Sequence, residues 1–468
     1  MAQIPILNGV YTDQSPDFRV AYPVNLVPVP MNQGISSGYL RPAEGLVDLC
    51  ECYAGIDRGG IEWNGECYRV RGTSLVKVSE DNVVTVLGDV GGTGQVTMDY
   101  SFDRLAIASG GNLFYWDGTT LTQVTDPDLG TVVDFCWVDG YFFTTDGEFL
   151  IVTELSDPTV VNPLKYGSSE IDPDPVKAIV KIRNEVYALN RHTIEVFDNV
   201  GGEFFPFQRI EGAQIQKGTL GTHTCCEFVQ ALAFMGGGRN EPPAIYVGAN
   251  AGVTKLSTRE IDQLLLEYTE DELAEVRMEA RVDIQHNWLY VHLPDRTIVY
   301  DANASQALSV PVWFTLTSAT QGFSQYRAKN FVWCYNKWIF GDPTSPKIGT
   351  FDDSISTQFG DDVRWEFGTT IIYLNGKGGI INNLELVALT GSVAFGANPT
   401  ISTSYSVDGI NWSQDKYINV GKLGDRNKRL AWWQQGHMRT WRIQRFQGDS
   451  QAHLSIARLE AEIEPLAY

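Results

Sequence analysis

Residues 278–316 read MEARVDIQHNWLYVHLPDRTIVYDANASQALSVPVWFTL, and this run decides the fold. Four short pieces, 278–283, 288–293, 297–301 and 312–316, are rich in Val, Ile, Trp, Tyr and Thr, side chains that suit a pleated, half-buried strand. Between them stand Gln285-His286-Asn287, Pro294-Asp295-Arg296 and the stretch 303–309, all carrying turn-forming residues. The reading is a meander of four antiparallel strands. Such a sheet has two apolar faces and cannot bury both alone, so it stacks against copies of itself as a propeller blade.

Working outward, the turn after each blade's first strand is marked by Asn64, Asp103, Asp139, Asn184, Gly237, Asn287 and Asn336, at spacings of 39, 36, 45, 53, 50 and 49 residues. These lie close to the roughly 40–50 residue period of propeller repeats. A second turn, at Gly72, Asn112, Asp146, Asn190, Asn250, Asp295 and Asp342, precedes a further strand in each unit. The fold class is therefore mainly β, a β-propeller of about seven blades over 56–362. Without a strict motif, six or eight blades fit the same spacing.

Two insertions interrupt the repeats. Residues 155–175 form a long loop in which four prolines, each after Asp or Asn, disfavour helix. Residues 258–277 read as a helix pair, with Thr258 as one cap and Thr269-Glu270-Asp271-Glu272 as a capping box. A propeller does not need that pair, so it is either decoration or a contact surface, with Leu265, Tyr268 and Glu272 as candidates. Ahead of the blades, 1–55 reads as an extended N-terminal arm, because Pro5, Pro16, Pro23, Pro28, Pro30 and Pro42 fall among short apolar pieces. Such an arm wraps its own domain or reaches a neighbour.

Beyond 362 the strands lengthen and alternate (365–374, 380–389, 401–407, 416–420, 440–446 and 453–460), the pattern of a C-terminal β-sandwich over 363–468. Basic residues gather there, Arg426, Arg429, Arg439 and Arg442 among them, near Trp432, Trp433 and Trp441. They suit nucleic acid, an acidic surface on another subunit, or a solvated strand face.

The chain has 468 residues, 43% of them hydrophobic and 12% aromatic, enough for packed cores. A formal net charge of -22 argues against a surface built to grip nucleic acid, though an acidic wall suits a channel through which DNA slides. No apolar run approaches the roughly 18 residues of a membrane span, and residues 1–10 lack the form of a secretory signal. Seven cysteines, at 50, 52, 67, 136, 225, 226 and 334, show no metal-ligand spacing and read as buried thiols in a reducing compartment. The histidines form no metal-binding pair, and neither a nucleophile elbow nor a phosphate loop is present. No catalytic, cofactor or metal site is expected.

Further motifs carry a resemblance. Gly38-Tyr39-Leu40-Arg41-Pro42 with Gly45, Thr193-Ile194-Glu195-Val196-Phe197 followed by Pro206-Phe207 and Arg209, and above all Tyr268-Thr269 with Glu272, Val291-His292-Leu293-Pro294 and Val299-Tyr300-Asp301-Ala302 are similar to the phage packaged-DNA stabilisation proteins. These are the tail-hub or head-completion proteins of short-tailed phages. Together the motifs cover roughly 36–310; the sandwich matches mainly through Ser406, Asp408-Gly409-Ile410-Asn411.

The resemblance implies a structural virion protein without an active site, assembled in the host cytoplasm into a hexamer below the portal or its head-to-tail adaptor. It implies retention of packaged DNA, which passes through a central channel without sequence-specific contact. It also implies docking surfaces for a tailspike or tail fibre and for a tail needle or plug, with Tyr39, Arg41 and Pro42 as contact candidates. An arm that exchanges between subunits is expected to matter more for assembly than for propeller folding. The alternative reading is a glycan- or receptor-binding propeller of a phage tail.

Overall fold

The computed structural model describes residues 2–7, 10–12, 19–31, 36–249 and 252–466. Seven sheets follow one another from 57 onward, the first six each built from strands adjacent in sequence. The sixth is the run quoted above, with strands Arg277–Val282, Asn287–His292, Thr297–Asp301 and Trp313–Leu316 in that order. The first strand of every sheet lies against the first strand of the next, and the seventh against the first. The seven blades thus close into a ring, as the repeat spacing predicts.

Closure comes from the N-terminal segment. Blade seven has three strands of its own, Lys329–Cys334, Lys337–Gly341 and Lys347–Asp352, and its outermost strand is Gly45–Glu51, paired antiparallel to Lys347–Asp352. Apolar side chains of blades one and seven, including Val76, Val78, Val332 and Ile348, fuse into one buried cluster across this seam.

Upstream of the closing strand the chain serves the sandwich. Ala2–Ile4, Leu26–Pro30 and Gly38–Pro42 join a seven-stranded sheet with Gly379–Leu389, Leu430–Trp433, His437–Met438 and Ser455–Pro465. The facing sheet holds Arg364–Gly368, Ile372–Tyr373, Thr400–Ser406, Lys416–Asn419 and Trp441–Asp449. Ile4, Leu26, Leu40, Trp365, Leu384, Trp432, Phe446 and Leu459 share the core between them. Residues 1–55, read from sequence as an arm, are in their described parts built into both domains of their own chain.

Four details differ from the sequence reading, the first being that the long loop expected at 155–175 holds the outer strand of blade three, Val161–Ser168, paired with Phe149–Thr153. Gly237 ends the second strand of blade five, Ala231–Gly237, and does not follow the first; the first turn is Val229-Gln230, both with positive φ. Asn250 lies outside the described residues. The stretch 303–309, expected as a turn, holds a helix, Ala302–Leu308, whose first N–H groups are capped by the Asp301 carboxylate through Ala304 N at 3.0 Å. The helix pair is present but shorter, Arg259–Leu265 and Glu270–Ala274, and the capping box at Thr269 forms in full.

Candidate interaction surfaces and the propeller axis

Carboxylates on the innermost strands tie one blade to the next. Asp99 of blade two accepts Trp137 N of blade three at 2.6 Å, and Asp134 of blade three accepts Ile179 N of blade four at 2.8 Å. Glu279 of blade six accepts Asn330 N and Phe331 N of blade seven at 2.8 and 2.9 Å. Asp57 of blade one holds Asn330 Nδ2 at 2.6 Å and takes a two-pronged bond from the buried Arg69 at 2.8 and 2.7 Å. At Asn330 and Phe331, Glu279 satisfies backbone donors inside the bulge between Lys329 and Val332, where the ladder is interrupted.

Their ionisation follows their surroundings. Burial raises Asp134 to about 7 against the opposing bonds from Ile179 N and Thr97. Burial also acts on Glu279, but His292 together with Arg277 and the Phe331 N–H outweighs it and holds the carboxyl at about 2. His223, buried beside Arg277 and Lys329, is pulled down to about 3 and stays neutral near pH 7.

Asp134, His223 and Arg277 surround a cavity of about 160 Å³ on the axis. Gln95 crosses above it, donating to Glu275 O at 2.7 Å and accepting from Arg277 at 3.4 Å. Gln95 and Glu275 also line two further open cavities of about 360 and 380 Å³. Among the described residues no group of three His, Cys, Asp or Glu side chains comes together as a metal site, and all seven cysteines are unpaired.

The contact candidates named from sequence do not form one site. Tyr39 packs on the cluster containing Trp288 and Phe340, and Pro42 is buried in its strand. Arg41 braces the sandwich against the propeller, 2.9 Å from Asp353 and 3.6 Å from Asp283. Leu265 is fully buried in the core that the helix pair shares with blades five and six, so it is unavailable to a partner. Tyr268 is partly buried and donates to Asp295; Glu272 is exposed but spent on its own helix cap, where the Thr269 N–H holds its carboxyl below the usual range.

In the sandwich, Arg442 is 0% exposed under the Tyr405 ring, bonded to Gln435 O and Gln444. Burial pulls it down to about 10, and it is a core residue, not a surface charge. Arg426, Arg429 and Arg439 are exposed, with Arg429 paired to Glu385 at 2.6 Å. Sequence reasoning missed the inter-blade latches and the buried Glu44–Arg281 pair that pins the segment before the closing strand into blade six. The signal was there, as acidic residues standing at inner-strand positions otherwise apolar.

The fold is a closed propeller joined to a sandwich, with buried charges tying the blades together, and comparison with known proteins identifies a structural protein of a phage tail. The chain belongs to the bacteriophage P22 Gp10 family, whose β-propeller matches residues 2–356 and whose β-sandwich matches residues 364–464. The tail hub protein gp10 of Salmonella phage P22 is 27% identical over 461 residues, covering 93% of this chain and 94% of that protein. Among solved structures, the N-terminal domain of Nup159 aligns with a TM-score of 0.42 at 8% identity, over 69% of this chain and 97% of that one. The Neurospora crassa Pan2 WD40 domain aligns with a TM-score of 0.41 at 9% identity, over 66% and 92%.

Proposed function

We propose that this chain is the tail hub of its phage, a hexameric ring seated below the portal or head-to-tail adaptor that closes the DNA-exit channel and retains the packaged genome. The same ring docks tailspikes or fibres and a needle-like plug. The observation that carries this is the end-to-end match to a tail hub protein, propeller and sandwich in the same order. The net charge of -22 suits a wall past which DNA moves without sticking. In such a ring the channel lies between subunits. A permanent ring of this kind needs more than about 2,000 Å² per interface, within reach of a chain this large.

Native mass spectrometry of the purified chain, alone and mixed with the portal or adaptor of its phage, tests the reading. A six-copy species, formed alone or on that platform, is the expected result. A monomer that ignores the platform overturns it and turns attention to a glycan-binding propeller, with a glycan screen as the next measurement.

A further inference from the structure

One edge of the sandwich lies against the propeller. Val24, just before Leu26–Pro30, bridges both Thr315 of blade six and Glu366 of Arg364–Gly368, so these two sheet edges lie at the propeller. The opposite edges of the two sheets are Leu430–Trp433 and Lys416–Asn419, held side by side by Trp432 Nε1 donating to Lys416 O at 2.9 Å. The far edge is thus formed by residues 416–434, which hold five Lys or Arg and a single acid, Asp425. Every residue from 422 to 429 is exposed. Tyr417, Leu423 and Trp433 are 66%, 58% and 61% exposed on the same edge. An uncovered double edge with aromatic side chains and exposed cations is a surface that a partner covers.

The complementary surface lies across the molecule. The sandwich sits against blades six and seven, so blade three is diametrically opposite in a seven-membered ring. Residues 79–174, spanning the end of blade one to the start of blade four, hold seventeen acidic side chains against two basic ones, Arg104 and Lys165. There Glu148 and Glu170, with Asp172 paired to Arg239 and Asp174 accepting His192 N, line an open cleft of about 550 Å³ whose apolar wall is Phe149, Pro173 and Pro175. Glu148 and Glu170 are exposed. Leu164, 68% exposed, lies on the outer strand of the same blade.

Building on the ring proposed above, we infer that the basic, aromatic edge of one copy docks on the acidic cleft of blades three and four of the next. One rigid chain cannot bring its own two ends together, so the pairing is between copies and head to tail. Head-to-tail contacts between unlike surfaces generate closed rings when the rotation per subunit closes. Opposite charge guides the encounter and register, while Tyr417, Leu423 and Trp433 supply the apolar burial.

The test uses full-length chains and charge exchange. Arg426→Glu with Lys428→Glu reverses the edge, and Glu148→Lys with Glu170→Lys reverses the cleft. Each double variant alone is expected to lose ring assembly, with association weakened at least about 100-fold. An equal mixture of the two is expected to form rings again, since each offers the other its complementary face. Recovery in the mixture also shows that both variants fold. Either variant assembling alone as the parent does, or a mixture that stays monomeric, overturns this inference and leaves the ring standing. A parent chain that forms no ring even on its platform overturns the ring, and this inference with it.

Discussion

Asp134 shows how one side chain on an inner strand is set by its surroundings. Its folded value of about 7 lies above the roughly 3.9 of an exposed aspartate, so the protonated form is favoured by folding. The stabilisation is fully present below about pH 4 and is lost as the pH rises through 7. His223 next to it, at about 3, does not titrate in that window. Asp134→Asn keeps an acceptor for Ile179 N and removes the titration. Its unfolding free energy relative to the parent is expected to improve from pH 5 to pH 8, by an amount on the order of a few kcal/mol. A difference that stays flat across that range contradicts the assignment. At this scale the sequence was least legible. Glu272 was recognised correctly as part of a capping box, yet the same bonds that make the box use up its carboxylate. Arg442 looked like a surface cation because its neighbours in sequence are basic; only packing shows Tyr405 above it and no carboxylate beside it.

At the scale of elements, strand runs and turn residues were readable, and the sixth blade formed nearly where its apolar pattern placed it. The position of Gly45–Glu51 was not. Its alternation marks a strand, but strand pairing between 45–51 and 347–352 joins residues some three hundred positions apart, and no local pattern encodes a partner that distant. This changes what the first residues do. A chain starting at residue 52 leaves the edge of Lys347–Asp352 unpaired, deletes the buried Leu46 and takes Glu44 away from Arg281. Removing one partner of a buried pair alone costs about 3–5 kcal/mol. The truncated protein is expected to fail to form a stable propeller, seen as lost circular dichroism melting and rapid proteolysis. A truncation that melts as the parent does would show the seam to be dispensable. The helix Ala302–Leu308 escaped notice for a different reason: Asn303, Ser305 and Ser309 favour turns, and the Asp301 cap with burial of Ala304 and Ser305 overrides that preference.

At the scale of the whole molecule, the two domains are threaded through one another. The chain starts in the sandwich, closes the propeller, runs round the blades and returns, so that Ala2–Ile4 pairs with residues 459–461. Asn25, in a left-handed conformation, fastens the junction by donating to Thr317 O and Arg364 O and accepting from Thr317 N. Because neither domain keeps all its strands without the other, calorimetry is expected to show one unfolding transition for both. Two well-separated transitions would mean the threading carries no coupling. A single folding unit with a basic end and an acidic end also suits a subunit that must hold its neighbours in a fixed register.

What the sequence determined by itself was the strand content, the repeat near 40–50 residues, the change of pattern after 362 and, through its motifs, the family. Those properties are local: side-chain alternation, turn chemistry and short motifs act over a few residues. What only the tertiary structure decided was the ring closure by the N-terminal strand, the carboxylate latches between blades, and which charges reach the surface. Each of these depends on residues hundreds of positions apart meeting in a dry, close-packed interior, where pairing and burial, not local preference, set the free energy.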